Sequence, residues 1–191
     1  MSSTEKASST DRTTLRRQLL AEREQWAQTG AREAAEESLA AHLREVLDAL
    51  EPGLLGLYWP IRSEFNARAV FSADTALPPL ALPFARKEPR VMEYRRWSGR
   101  EEPRLLDECG IPSVEGASAV PDVVLVPCVG FNAEGFRLGY GGGYFDRWLA
   151  AHPQTTAVGI AWAGSEASFA PEPHDHPLMM IVTERGVVTP A

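Results

Sequence analysis

Cysteine is scarce: Cys109 and Cys128 are the only two in 191 residues. They are too few and too scattered for a disulfide framework or a four-cysteine zinc site, so both are expected as reduced thiols, with Cys128 in the core. Long apolar runs are missing as well. The longest, such as residues 123–126, fall far short of a membrane span. Residues 1–10 are small and polar and hold no apolar stretch of the kind a secretory signal requires, so they read as a disordered tail. Positive charge is not in excess. A formal charge of -7 argues against a broad nucleic-acid surface, which needs a cationic footprint, but leaves room for a local cationic pocket. No internal repeat is visible. These absences leave a cytoplasmic chain with no nucleic acid, membrane or obligate protein partner. Its 44% hydrophobic and 24% charged residues suit an enzyme-sized core.

Helices and strands alternate along the chain. Residues 11–28 lack proline and glycine and carry Leu15, Leu19 and Trp26 at helical spacing. Arg12, Arg16 and Arg23 fall on one side of that helix, and their spacing alone describes a solvated basic face. A second helix follows Thr29 and Gly30 and runs to about Leu50, with an apolar stripe of Leu39, Leu43, Val46, Leu47 and Leu50. Residues 54–59 form a continuous apolar run, the pattern of a buried parallel strand, which Pro60 stops. A short helix is expected over 66–73, strands over 80–84 and 91–97, and a long surface connection over 98–121. Residues 123–127 read as a buried strand, 144–151 as a helix and 156–162 as a further strand, which makes a βαβ crossover. The expectation is therefore an α/β fold in a single domain over 11–191. Its mainly parallel central sheet is flanked by helices in three layers, with an N-terminal helical hairpin.

Between strand and helix lies the densest signal, five glycines in the nine residues 135–143: Gly135, Gly139, Gly141, Gly142 and Gly143. Glycine permits positive φ and lets backbone approach a ligand closely. A loop like this opening a helix presents free amide N–H groups and the positive end of the helix dipole, which suit phosphate. A tight strand-to-helix turn is the other reading. Arg137 beside the amides and Asp146 just inside the helix favour phosphate, the one as a planar cation and the other as a hard oxygen ligand for magnesium. Neither a Walker ending nor a dinucleotide fingerprint is present, so a different nucleotide site is required.

The string VPCVGFNAEGFRLGYGGGYFDR over 126–147 resembles the signature of the 5-formyltetrahydrofolate cyclo-ligases, also called methenyltetrahydrofolate synthetases. Three more blocks stand in that family's order. They are Arg12 with Leu15 and Arg16, then YWPIRSE over 58–64, then EPHD over 172–175 leading to IVTE over 181–184. Two departures stand out. Arg12 occupies a position where the family often has lysine, and residues 162–167 are one residue shorter than the family's glutamine-bearing stretch.

The resemblance implies ATP contacts from Arg12, Arg16, Arg137, Leu138, Gly139, Tyr140, Gly141, Gly142, Gly143, Tyr144 and Phe145. It implies folate contacts from Trp59, Glu64, Tyr140, Gly142 and Tyr144, and a catalytic role for Arg137 and Tyr144. Asp146 and Asp175 match the family's magnesium positions. Taken alone, His174, Asp175 and His176 also suggest a transition-metal site, although adjacent residues seldom ligate one ion together.

The reaction so implied converts 5-formyltetrahydrofolate and ATP into 5,10-methenyltetrahydrofolate, ADP and phosphate. No protein nucleophile is needed, which agrees with the lack of an evident Ser-His-Asp or Cys-His arrangement. A non-catalytic folate or nucleotide binder and a phosphosugar-handling α/β enzyme are the alternatives.

Overall fold

The computed structural model describes residues 3–71 and 78–190, with side chains from residue 11 onward. Helix α1 (Ser3–Trp26) begins well before residue 11, so the backbone is already helical through most of the segment read as a disordered tail. No proline or glycine interrupts it there; residues 1 and 2 lie outside the described ones. Leu19 and Leu20 of α1 are buried with Val129 and Leu138. Helix α2 (Arg32–Leu50) buries Leu39, Leu43, Val46 and Leu47, the face its stripe predicts, and ends where Glu51 turns left-handed at φ 45°.

The strands are β1 (Leu55–Gly56), β2 (Leu80–Arg86), β3 (Val91–Trp97), β4 (Leu105–Leu106), β5 (Pro112–Ser113), β6 (Ser118–Ala119) and β7 (Val123–Pro127). After them come β8 (Gly130–Phe131), β9 (Arg137–Leu138), helix α3 (Tyr144–Ala151), β10 (Thr156–Ile160), β11 (Met180–Thr183) and β12 (Gly186–Val188). Eight strands form one sheet in the order β12-β11-β10-β7-β1-β2-β3-β6. The five from β11 to β2 are mutually parallel, while β12, β3 and β6 add antiparallel edges.

Alternation along β7 sorts the core. Val123 and Leu125 join the α2 side, whereas Val124 and Val126 join Trp148 and Leu149 of α3 on the other. The architecture is the expected α/β one, a mainly parallel sheet between helices. Each fully buried aliphatic side chain contributes about 1.5–3 kcal/mol toward the conformational entropy that folding must overcome.

Several elements differ in extent from the sequence reading. The run over 54–59 pairs as strand only at Leu55–Gly56, although Leu57 N–H still reaches the Ala81 carbonyl at 2.9 Å. That shortness explains Pro83 inside β2: β1 pairs only as far as Ala81, so the missing proline donor faces no ladder partner there. The helix expected over 66–73 is a 3-10 turn, Ala67–Val70, with Asn66 capping Arg68 N–H; residues 72 and 73 lie outside the described ones. The connection over 98–121 is organised by buried Asp107, which accepts from Cys109, Ile111 and Ala85. The β11–β12 hairpin, with Ile181 opposite Val188 and Thr183 opposite Gly186, adds an edge to the sheet beyond the expected strands.

From β1 the sheet grows toward β2 and β3, and from β7 it grows the other way toward β10 and β11. The switch in direction lies between β1 and β7. Crevices beyond the carboxyl ends of strands at such a point are where open α/β sheets bind ligands. The segments leaving β1 and β7 there carry Glu64 and the glycine loop.

Candidate functional site

The chain leaves β7 through the β8–β9 hairpin, which is why Arg137 sits on a paired strand and not in a free loop. Its guanidinium is 5% exposed, donates to Asp146 Oδ1 at 3.0 Å and lies 5.4 Å from the Phe145 ring. Gly139 is needed for close approach: a methyl there would stand 2.6 Å from Arg137 Nη1. Gly143, at φ 63°, starts α3 with no side-chain cap, leaving its first N–H groups to the dipole end.

The face that spacing alone describes as solvated is turned inward. Arg12 is 4% exposed, donates to both Asp175 oxygens at 2.7 and 3.3 Å, and stands 3.6 Å from Glu172. Arg16 Nε donates to the Gly139 carbonyl at 2.9 Å. Its pKa is lowered by partial burial and by neighbouring Arg12, against the opposing pull of Glu172, Asp175 and Asp146. Arg23 is buried and donates to the Tyr140 hydroxyl at 2.7 Å. Arg12, Arg23 and Arg137 each keep a buried Nε with no partner among the described residues. Each of these buried guanidiniums keeps donor capacity that its present partners do not use.

Glu64 hangs from a tight turn that the sequence did not announce. Arg62 and Ser63 both have positive φ, 49° and 62°, a conformation non-glycine residues take at a cost of about 1–3 kcal/mol each. The turn is tied by Glu64 N–H to the Ile61 carbonyl at 3.0 Å and by Ile61 N–H to Glu64 Oε2 at 2.9 Å. Trp162 Nε1 also donates to Ser63 at 3.0 Å. Oε1 of Glu64 accepts from the Tyr140 hydroxyl at 2.8 Å. Burial raises the Glu64 pKa, partly offset by Ile61 N–H, Tyr140 and the charge of Arg23. The carboxylate is buried, oriented and basic.

The expected folate and nucleotide residues do not form one cluster. Trp59 packs edge-on to Trp97 with ring centres 6.3 Å apart, and Trp97 is an aromatic that sequence reading missed because nothing in its strand marks it. Tyr140 points toward Glu64, whereas the Tyr144 hydroxyl donates to the Arg86 carbonyl at 3.1 Å and accepts from Cys109 Sγ at 3.3 Å. Leu138 is fully buried, so only its backbone is available to a ligand. The Gly142 carbonyl accepts from Arg147 at 2.7 Å, and Gly141 is exposed beside Arg16.

For a metal, the donors are carboxylate oxygens and one imidazole nitrogen. Glu172, His174 and Asp175 bring ligand atoms within 4.8 Å of one another. The charges of Asp146 and Asp175 both reach Arg16, and each raises its pKa. Carboxylates beside phosphate-seeking arginines suit magnesium, which takes few protein ligands. His176 is not in that cluster, so the histidine-rich reading of 174–176 loses a ligand. Among the described residues no helix is long and apolar enough to cross a membrane.

Comparison with known proteins bears on the same segments. The profile of the 5-formyltetrahydrofolate cyclo-ligase family matches residues 8–184. A 5-formyltetrahydrofolate cyclo-ligase of Mycoplasma pneumoniae is 39% identical over 64 residues, which span 33% of this chain and only 39% of that protein. The one from Mycolicibacterium smegmatis is 31% identical over 145 residues, 72% of this chain and 71% of that protein. Among solved structures, the 5,10-methenyltetrahydrofolate synthetase of Aquifex aeolicus is similar with a TM-score of 0.74 and 26% identity, covering 93% of this chain and 92% of that one.

Proposed function

The chain belongs to the 5-formyltetrahydrofolate cyclo-ligase family, and from that premise we propose that it closes 5-formyltetrahydrofolate to 5,10-methenyltetrahydrofolate, converting ATP to ADP and phosphate. The observation that carries the reading is the meeting of Arg16 and Arg137 at Gly139, on the loop that opens α3. That is a polyphosphate cradle. The buried acceptor Glu64 lies across the strand switch from it, tied to the same loop through Tyr140. Its two oxygens suit the amino and ring N–H groups of a reduced pterin.

The formyl oxygen of the substrate attacks the γ-phosphorus and ADP departs, leaving an O-phosphorylated iminium carbon. The neighbouring secondary amine then attacks that carbon and loses its proton, and the C–O bond breaks to release phosphate. The amidinium of the methenyl product remains. Holding both nitrogens in one bound folate makes closure effectively intramolecular. Arg137, Arg16 and the free amides of α3 counter the charge that spreads over the transferring phosphoryl group. Tyr140 orients Glu64, and Trp59 with Trp97 offers the aromatic wall. We assign magnesium to Asp146 and Asp175; it would neutralise phosphate charge there. Free Cys109 and Cys128 accord with a cytoplasmic setting.

The test is to mix the protein with 5-formyltetrahydrofolate, ATP and magnesium and to follow product absorbance together with ADP release. Turnover is expected. In Asp146→Asn it should fall at least about tenfold while folate binding, read by tryptophan fluorescence, is retained. Loss of turnover and folate binding together would return Asp146 to a purely structural role. No product with both ligands bound would identify a non-catalytic binder instead.

A further inference from the structure

We propose that Arg23 is a positioning residue for folate recognition, acting through Tyr140 to hold Glu64 as an ionised acceptor. This rests on the assignment of Glu64 to the pterin.

The direction of the chain of hydrogen bonds follows from chemistry. A guanidinium only donates, so the Tyr140 oxygen accepts from Arg23 Nη2 at 2.7 Å. Its single proton is thereby committed to Glu64 Oε1 at 2.8 Å. Oε2 takes the Ile61 N–H at 2.9 Å. Each carboxylate oxygen keeps one acceptor site for a ligand donor. Without Arg23 the hydroxyl is free to turn away.

Arg23 is not explained as an ordinary ion pair. It is 6% exposed and has no carboxylate within salt-bridge distance among the described residues. Its other bond is a long 3.5 Å contact to the Cys128 carbonyl, and its Nε has no partner there. A buried cation this poorly bonded costs stability, and its counter-charge sits one hydroxyl away. The side chain also lines two cavities. One, of about 10 Å³, is lined also by Glu64 and Tyr58, and the other, of about 170 Å³, lies beside Leu19, Trp26 and Trp162. Its place is beside Glu64.

The groups facing Glu64 are Arg23 from α1, Tyr58 after β1, Ile61 N–H in its own turn, Cys128 after β7 and Tyr140 from the glycine loop. Burial pushes the Cys128 thiol up to about 12 and raises Tyr58 and Tyr140 as well, so all three stay neutral over the working range. Glu64 is the group left to titrate. Burial raises its pKa and Arg23 lowers it. Removing that charge raises it further, so the acid side of the folate-binding profile must move to higher pH.

The experiment measures the affinity for 5-formyltetrahydrofolate by tryptophan fluorescence across pH, with KM values for both substrates. Arg23→Gln should weaken folate about tenfold or more at pH 7, leave the ATP KM within about twofold, and shift the acid limb upward. Arg23→Lys should return the limb most of the way. If Arg23→Gln does not fold, Tyr140→Phe decides, because deleting the donor to Glu64 should move the limb in the same direction. An unmoved limb, or equal weakening of ATP and folate, overturns the proposal. Wild-type protein that binds folate with this pH dependence yet makes no product would sink the cyclo-ligase reading and leave Arg23's role standing. Wild-type protein that binds no folate overturns both.

Discussion

Substituting Gly139 by alanine tests whether the loop's glycines serve Arg137 or merely the turn. Gly139 is not among the positive-φ glycines, so alanine suits the backbone and should gain about 0.4–1 kcal/mol through the unfolded chain. Its methyl, however, would lie 2.6 Å from Arg137 Nη1. Ordinary contact needs roughly 3.4 Å or more, so the guanidinium must retreat by most of an ångström. The retreat stretches the 3.0 Å bond to Asp146, whose partners are 5% and 15% exposed and can be re-solvated only in part. A charged hydrogen bond of that kind contributes about 1.5–3 kcal/mol. The net expectation is a stability loss of about 1–2 kcal/mol, together with a fall in kcat of about tenfold to a hundredfold if Arg137 meets the transferring phosphoryl group.

A double-mutant cycle with Arg137→Met separates the possibilities. Urea unfolding and turnover are measured for the wild type, each single variant and the pair. With Arg137 already gone, Gly139→Ala should cost almost nothing and should show its small backbone gain. A loss in the Arg137→Met background as large as in the wild type would refute the reasoning, because the methyl would then be clashing with something else.

Two further outcomes follow from local geometry. Cys109 is exposed, while Cys128 is buried with its thiol pushed up to about 12, so a thiol reagent at pH 8 should label the folded protein once and the denatured protein twice; double labelling of the folded chain would contradict the burial. Asp122 accepts from Gly53 and Leu54 N–H at 2.9 and 2.7 Å, anchoring the entry to β1 beside β7. Asp122→Ala should lose about 1 kcal/mol at pH 7, a figure kept low because the carboxylate is exposed. Burial pushes the Asp122 pKa up, but these N–H bonds, with those of its own backbone and Val123, outweigh it and hold the value down. The contribution is therefore full above the unfolded pKa and fades as pH falls through the lower folded one, so urea curves of wild type and variant should converge in acid. Parallel curves at every pH would count against it.

Strands and helices whose burial is periodic were legible in advance. Residues 123–127 and 144–151 coincide with β7 and α3, because a run buried on both faces and an unbroken helical stretch both leave marks in composition. The turn over 61–64 left none: its positive-φ residues are arginine and serine, and tertiary bonds from Trp162 and Glu64 hold a shape that local propensity opposes. Arg23 shows a different limit. Helical spacing placed it with Arg12 and Arg16, yet the same spacing serves a solvated face and a buried one. Only the approach of Asp175, Gly139 and Tyr140 from distant segments distinguishes them.

The pairing within the site bears on how an anion is received. Arg12 is held by Asp175 and Arg137 by Asp146, with Glu172 nearby, so these two guanidiniums are already paired. A bare polyanion taking those arginines would strand two carboxylates, one of them 6% exposed, without a cation, and breaking such pairs costs about 3–5 kcal/mol each. A polyphosphate that arrived with a divalent cation would avoid the penalty, since the arginines would meet phosphate while the carboxylates met the metal. This fits the proposal that the same aspartates, which pair with the arginines here, hold magnesium. Charge balance thus favours a metal-complexed nucleotide over free phosphate at this loop, and affinity for ATP should rise with magnesium in the wild type but much less in Asp146→Asn.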